Sequence, residues 1–140
     1  MVTISSVMGL LPSAGLSDYC ASKFATVGLA KCLRLEMLKL TAGAVGTSLI
    51  CPYAIKTGMF EGTNFSYQWL FPLLMPQFVA SKVVDAVKYK YEMLVLPWTV
   101  DVVIRIMPLL PQSLQDYIYS LCGGLHGMDT FKGHAKNSKN

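Results

Sequence analysis

The sequence predicts an α/β chain built on a parallel sheet, and three observations predict it. Short apolar, partly β-branched runs at residues 1–6, Val45–Cys51 and Met93–Leu96 have the length and make-up of buried strands. A long helical pattern from about Ser17 to Leu40 separates the first two. Glycines and prolines punctuate the joins, at Gly9, Pro12 and Gly15, at Gly43 and Gly46, and at Pro52 and Pro97. A strand, a long helix and another apolar strand read as a right-handed parallel βαβ unit.

Each element has its own justification. Ser17 or Asp18 is placed to cap the first helix, which is apolar on nearly every side, with Phe24, Val27, Leu29, Leu33, Leu35 and Leu38. A helix of that kind is normally covered twice, here by the sheet and by a second body that Ala21, Ala25 and Gly28 let come close. From Phe60 to Phe78 the chain is irregular, apolar and Pro-containing, either a cover for an apolar pocket or a core-packing connector. Ala80 to Lys90 reads as an amphipathic helix with Val83, Val84 and Val87 inward and Lys82, Asp85 and Lys88 outward. Residues 98–122 hold two apolar helical segments broken around Pro108 and Pro111. They either lie in a membrane interface, with Trp98 as anchor, or pack on the sheet. Beyond Gly123 a tail is expected.

Bulk properties limit the function. A hydrophobic fraction of 53% in 140 residues is high and points to surfaces meant for a partner, a membrane or more of the same fold. The net charge is +4, with three lysines in the last nine residues, and no aromatic-basic interleaving suggests nucleic acid. Cys20, Cys32, Cys51 and Cys122 lack metal-site spacing with each other or with His126 and His134, so reduced thiols and no metal are expected. No run of apolar residues is long enough to span a bilayer, and no signal peptide is recognisable. Met1 leads straight into a strand, as an internal residue of a longer chain would.

One constellation carries chemistry. Tyr19 and Lys23 are one helical turn apart, and Ser6 precedes Tyr19 by thirteen residues at the end of the first strand. A Tyr-x-x-x-Lys pair arises by chance about 0.5 times at this composition, and the triple with Ser about 0.04 times. A phenol is a poor acid-base group at neutral pH, and a neighbouring ammonium favours its ionised form. Ser6 could then hydrogen-bond an oxygen that gains charge while Tyr19 moves the proton. That is the chemistry of carbonyl reduction, which needs a hydride from a cofactor. Ligands of parallel sheets bind beyond the carboxyl ends of the strands, where Ser6 and the segment after Cys51 both fall.

Ile4-Ser5-Ser6 followed by Tyr19-Cys20-Ala21-Ser22-Lys23 resembles the active-site signature of the short-chain dehydrogenases/reductases. Cys51-Pro52-Tyr53-Ala54-Ile55-Lys56-Thr57-Gly58-Met59-Phe60, Leu96-Pro97-Trp98-Thr99 and Met128-Asp129-Thr130-Phe131-Lys132-Gly133 extend the likeness toward the retinal-reducing branch of the membrane-associated retinol dehydrogenase group. The resemblance covers only the second half of such an enzyme. It implies the C-terminal half of a Rossmann-like doubly wound parallel sheet over residues 1–97, a helical extension over 98–124 and a basic tail over 125–140. By resemblance Ser6, Tyr19 and Lys23 are catalytic, and Tyr19, Lys23, Pro52, Ile55 and Thr57 meet the cofactor, NADP(H). It also implies a retinoid-like lipophilic substrate, a homo- or hetero-dimer through helix 17–40, and a cytosol-facing place on the endoplasmic reticulum membrane or lipid droplets. Tyr53 stands where the family usually has Gly, which puts the local backbone in question. A Gly-rich pyrophosphate turn, a residue selecting NAD or NADP, and the family's catalytic Asn have no counterpart in these residues; the glycines at 123, 124 and 127 follow no strand. A non-catalytic membrane-associated module docking on full-length relatives is the rival reading.

Overall fold

A computed structural model describes residues 1–57, 71–121 and 125. It contains strands β1 (Val2–Ile4), β2 (Ser48–Pro52) and β3 (Met93–Leu96), and helices α1 (Ser17–Thr41), α2 (Pro76–Lys88), α3 (Trp98–Ile106) and α4 (Gln112–Leu121). The sheet runs in the order β1-β2-β3 with both pairings parallel, Val2 opposite Ser48 and Leu49 opposite Met93. The α/β class and the partial Rossmann-like architecture expected from the sequence are therefore present.

Strand β2 is the spine. Each of its residues is buried, and Ile50 and Cys51 are wholly so. It is flanked by a strand on both sides and so reads as a continuous apolar run. Its side chains alternate between two layers. Leu49 and Cys51 join Val7, Val27, Ala30, Val95 and Val100 in one core, beneath α1 and α3. On the other face Leu96 meets Leu74 and Val79, with Leu94 and Ile55 against them, beneath α2. The sheet is thus clothed by helices on both faces, as a doubly wound fold requires.

Several boundaries differ from the sequence expectation. Strand β1 is only three residues long and lies at the sheet edge, with Val2 and Ile4 exposed rather than buried. Ser6 lies outside it, heading the 3₁₀ turn Val7–Gly9. Strand β2 starts at Ser48, and Val45 is exposed in the turn before it. Helix α1 begins at Ser17 after an N-cap at Leu16 that makes no side-chain cap bond. Asp18 lies inside the first turn, where its Oδ1 accepts the Tyr19 N–H at 2.8 Å and its charge suits the helix N-terminus. Ala42 closes the helix in the left-handed region.

Helix α2 starts four residues earlier than Ala80, because Pro76 suits a first helical position, where its missing N–H costs nothing. Its inward residues are Val79 and Ala86, with Val83 half-buried between them. Val84 and Val87 are exposed, contrary to expectation. A run of valines offers two apolar stripes, and packing on β2 and β3 selects one of them. Lys82 and Asp85 form a 2.9 Å ion pair on its half-exposed side.

The segment after β3 packs in part. Val100 and Met107 are buried and Ile104 leans on the core, while Trp98 is the exposed first residue of α3. No residue of α4 is buried. No helix among the described residues is long and apolar enough to cross a membrane. Most of the apolar stretch Phe60–Phe78, the glycines at 123, 124 and 127, and the basic tail lie outside the described residues.

Candidate active site

The 3₁₀ turn joins β1 to α1 and sets the site. Ser6 caps it: its Oγ accepts the Met8 N–H at 3.2 Å and donates to the Pro52 carbonyl at 3.5 Å. This ties the end of β1 to the end of β2 and holds the buried hydroxyl at the carboxyl edge of the sheet. The neighbouring Ser5 donates its N–H to Ile50 O at 2.8 Å and its hydroxyl to the Lys23 carbonyl at 3.2 Å. Gly9 lets the turn lie flat on α1. A Cβ there would stand 2.5 Å from Lys23 O and 2.9 Å from Val27 Cγ2. Two residues flanking the Ser6 turn therefore hold the helix at Lys23.

On α1, Tyr19 and Lys23 share a face as the spacing predicts. The Lys23 Nζ stands over the Tyr19 ring, 5.4 Å from its centroid, within cation–π range. Both residues are half-buried. The helix surface between them is tightened by local bonds, Ser22 Oγ donating to Tyr19 O at 2.7 Å and Thr26 Oγ1 to Ser22 O at 2.9 Å.

The segment after β2 forms the next wall. A parallel bridge pairs Ile55 with Leu74. Lys56 N–H and Leu74 O, and Leu74 N–H and Ala54 O, make its bonds, both 2.9 Å. Such a bridge uses the neighbours' groups, so the N–H of Ile55 itself points away from Leu74. Its carbonyl accepts the Thr57 N–H at 2.8 Å and the Thr57 hydroxyl at 3.4 Å. Tyr53 keeps an ordinary backbone: Ala42 and Lys90 are the non-glycine residues with positive φ among those described. Its ring packs on Phe71, centroids 5.7 Å apart. Tyr thus takes the position without the dihedral that a glycine would permit.

Sequence reading singled out Ser6, Tyr19 and Lys23 but missed Ser5 and Gly9. Gly9 was legible only as loop punctuation, since its role depends on which helix the turn meets. Tyr119 of α4 was also missed. Its phenol is pushed up by burial and, second, by Cys20.

Cys51 lies beneath this region, fully buried, its thiol pushed up to about 11 by burial against the weaker opposing pull of Lys31 and Lys23. Its neutral form contributes stability that is intact below pH 9 and lost as pH rises toward 11, roughly 3 kcal/mol in all. We expect urea unfolding free energies to fall across that range by this amount more in the native chain than in Cys51→Ala. At neutral pH iodoacetamide should modify exposed Cys32 and leave Cys51 intact. No cluster of His, Cys, Asp or Glu among the described residues could hold a metal ion.

A cavity of about 330 Å³ lies elsewhere, between the amino ends of the strands and the far half of α1, lined by Thr3, Ala30, Arg34, Ser48 and Met93. It faces away from Ser6 and takes no part in this chemistry.

Residues 1–67 match the family model described as short chain dehydrogenase. The chain belongs to the short-chain dehydrogenase family. Its curated relatives include mouse (Mus musculus) epidermal retinol dehydrogenase 2, 36% identical over 99% of this chain and 45% of the mouse protein. Human (Homo sapiens) short-chain dehydrogenase/reductase 3 is 33% identical over 95% of this chain and 43% of its own length. Rat (Rattus norvegicus) retinol dehydrogenase 10 is 30% identical over 100% and 42%. The chain therefore spans less than half the length of these relatives. Membership in this oxidoreductase family implies a nicotinamide cofactor.

Proposed function

We propose that this chain carries the proton-transfer side of a carbonyl reductase site, acting on a lipophilic aldehyde or alcohol with all-trans-retinal and all-trans-retinol as the preferred pair. The observation that carries the reading is the Lys23 ammonium over the Tyr19 ring, on a helix clamped beside Ser6. The names of the relatives, retinol dehydrogenases, support the retinoid class.

Each residue then has a task. The Ser6 hydroxyl, now donating to Pro52 O, turns its proton to the substrate oxygen and stabilises charge there. The Tyr19 hydroxyl delivers or removes the proton. Lys23 holds positive charge against that phenol and takes a ribose hydroxyl. The Ile55 N–H, which points away from Leu74, and the Thr57 hydroxyl, with the Pro52 end of β2, fit the carboxamide end of a nicotinamide. When bound, the dinucleotide, NADP(H) in this reading, supplies the hydride. Residues 1–97 would form the catalytic unit, 98–124 an apolar extension and 125–140 a basic tail. In this reading the chain works cytosol-facing on the endoplasmic reticulum or droplet surface, the place that the family resemblance implies and that a lipophilic substrate suits. A pairing of copies through α1 is supported by its exposed Phe24, Leu29 and Leu35 and by the open space around Gly28.

No Gly-rich turn stands in the 140 residues, so we expect the isolated chain to reduce no retinal with NADPH. Turnover by pure 140-residue protein that is lost on Tyr19→Phe would reverse this. The function itself is tested by a chimera in which these residues replace the aligned segment of the mouse relative. NADPH-dependent retinal reduction is expected. An inactive but folded, NADPH-binding chimera would favour a non-catalytic docking fragment instead.

A further inference from the structure

We propose that the cavity at the amino ends of the strands is a second ligand site, built for a monocarboxylate with an apolar body, of the fatty-acid kind. Its volume of about 330 Å³ lies in the range of small-molecule sites. The floor is one row of the sheet. Thr3 pairs with Leu49 and Leu49 with Met93, so the three side chains point to the same face, toward α1. The opposite wall is α1, where Ala30 and Arg34, and Lys31 and Leu35, are four residues apart and share one side of the helix. Ala30 and Leu49 are buried and Leu35 is exposed, so apolar lining runs from the core to the rim.

Charge at this place is unbalanced. Arg34 meets Glu92 at 2.6 Å, while Lys31, one turn earlier, makes no ion pair or hydrogen bond among the described residues. Counting side chains, two cations line the cavity with one carboxylate, an excess of one positive charge. An adjoining hollow shares Arg34 and Glu92 and adds Lys90, so the excess grows on that side. Thr3 and Thr47 also line the cavity, and their hydroxyls have no hydrogen-bond partner among the described residues. A ligand with one negative charge and acceptor oxygens answers the cations and the hydroxyls, and its body answers the floor. Glu92 shows the headgroup chemistry, a carboxylate held by a guanidinium. Both members of that pair are partly exposed, so Glu92 competes only weakly for Arg34. This site is separate from the function proposed above, and its test needs no turnover.

Titration calorimetry of the 140-residue chain with decanoate is the measurement. A single decanoate should bind. Decanol, which lacks the charge, should bind at least about tenfold more weakly. Acetate, which lacks the body, should be weaker still. Lys31→Gln combined with Arg34→Gln should lower decanoate affinity at least about tenfold and leave decanol unaffected. Glu92→Gln should raise it about threefold, the size of an exposed ion pair, because the competing carboxylate is gone. Lys88→Gln, the same loss of charge on α2, should bind as the native chain does. Thr3→Leu carries bulk into the floor and should lower affinity at least about tenfold. Circular dichroism should report unchanged folds for the Lys31, Arg34 and Glu92 variants, whose side chains reach solvent. Equal binding of decanoate and decanol, or no uptake at all, would overturn the proposal. So would decanoate binding untouched by the double Gln variant, or a loss of affinity in Glu92→Gln.

Discussion

Tyr19→Phe should lower retinal reduction by the chimeric enzyme roughly 10²–10⁴-fold, the range set by loss of a positioned proton donor. The effect should fall on kcat with KM little changed, because one hydroxyl is removed and the ring remains. Phe keeps the π face on which the Lys23 ammonium sits, so the clamp at Lys23 and the start of α1 should be undisturbed. Thermal midpoints of the two proteins should agree closely. Stopped assays following retinol by absorbance, together with calorimetry, supply both readouts. Retention of more than about a tenth of the activity would show that another group, or water, moves the proton, and the assignment of Tyr19 would fail.

The second large effect is structural. Gly9→Ala places a methyl carbon 2.5 Å from the Lys23 carbonyl oxygen and 2.8 Å from its carbon, and neither belongs to a side chain that could swing aside. The turn must lift from α1, at a cost of about 1–3 kcal/mol, which corresponds to a fall on the order of 5–10 °C in thermal midpoint. The φ of Gly9 is unremarkable, so the penalty is one of space and not of backbone strain. Gly28 is the built-in control. It lies in the same helix, and a methyl added there would meet nothing within 4 Å, so Gly28→Ala should stabilise by about 0.5–1 kcal/mol through helix propensity alone. Equal midpoints for Gly9→Ala and the native chain would show that the turn does not bear on Lys23.

The contrast between these glycines shows how much could be read from the sequence. Periodicity and punctuation were enough for the three strands, the long helix and the break at Pro108, and hence for a parallel α/β sheet. A fixed spacing was enough to put Tyr19 and Lys23 on one face, since a helix determines it locally. What escaped depends on contacts between distant residues. The valines of α2 permit two inward faces, and β2 and β3 decide between them. An unpaired flank for β1 was legible from the sequence, and the order β1-β2-β3 places it at the edge, but Val2 and Ile4 looked like core residues and are exposed. Gly9 looked like loop punctuation and Ser5 like one more strand residue, because Lys23, their partner, arrives from another element.

The parallel register of the sheet also bears on how the chain acquires its shape. Val2 finds Ser48, and Leu49 finds Met93, only after a complete helix has been laid down between them. Neither pairing can form as a hairpin, so loop-closure entropy must be spent before any strand is rewarded, and folding is slow for a chain of this size. During synthesis β2 waits without its second neighbour until Leu96 has left the ribosome. The fully buried Ile50 and Cys51 are then the residues for which a chaperone would compete.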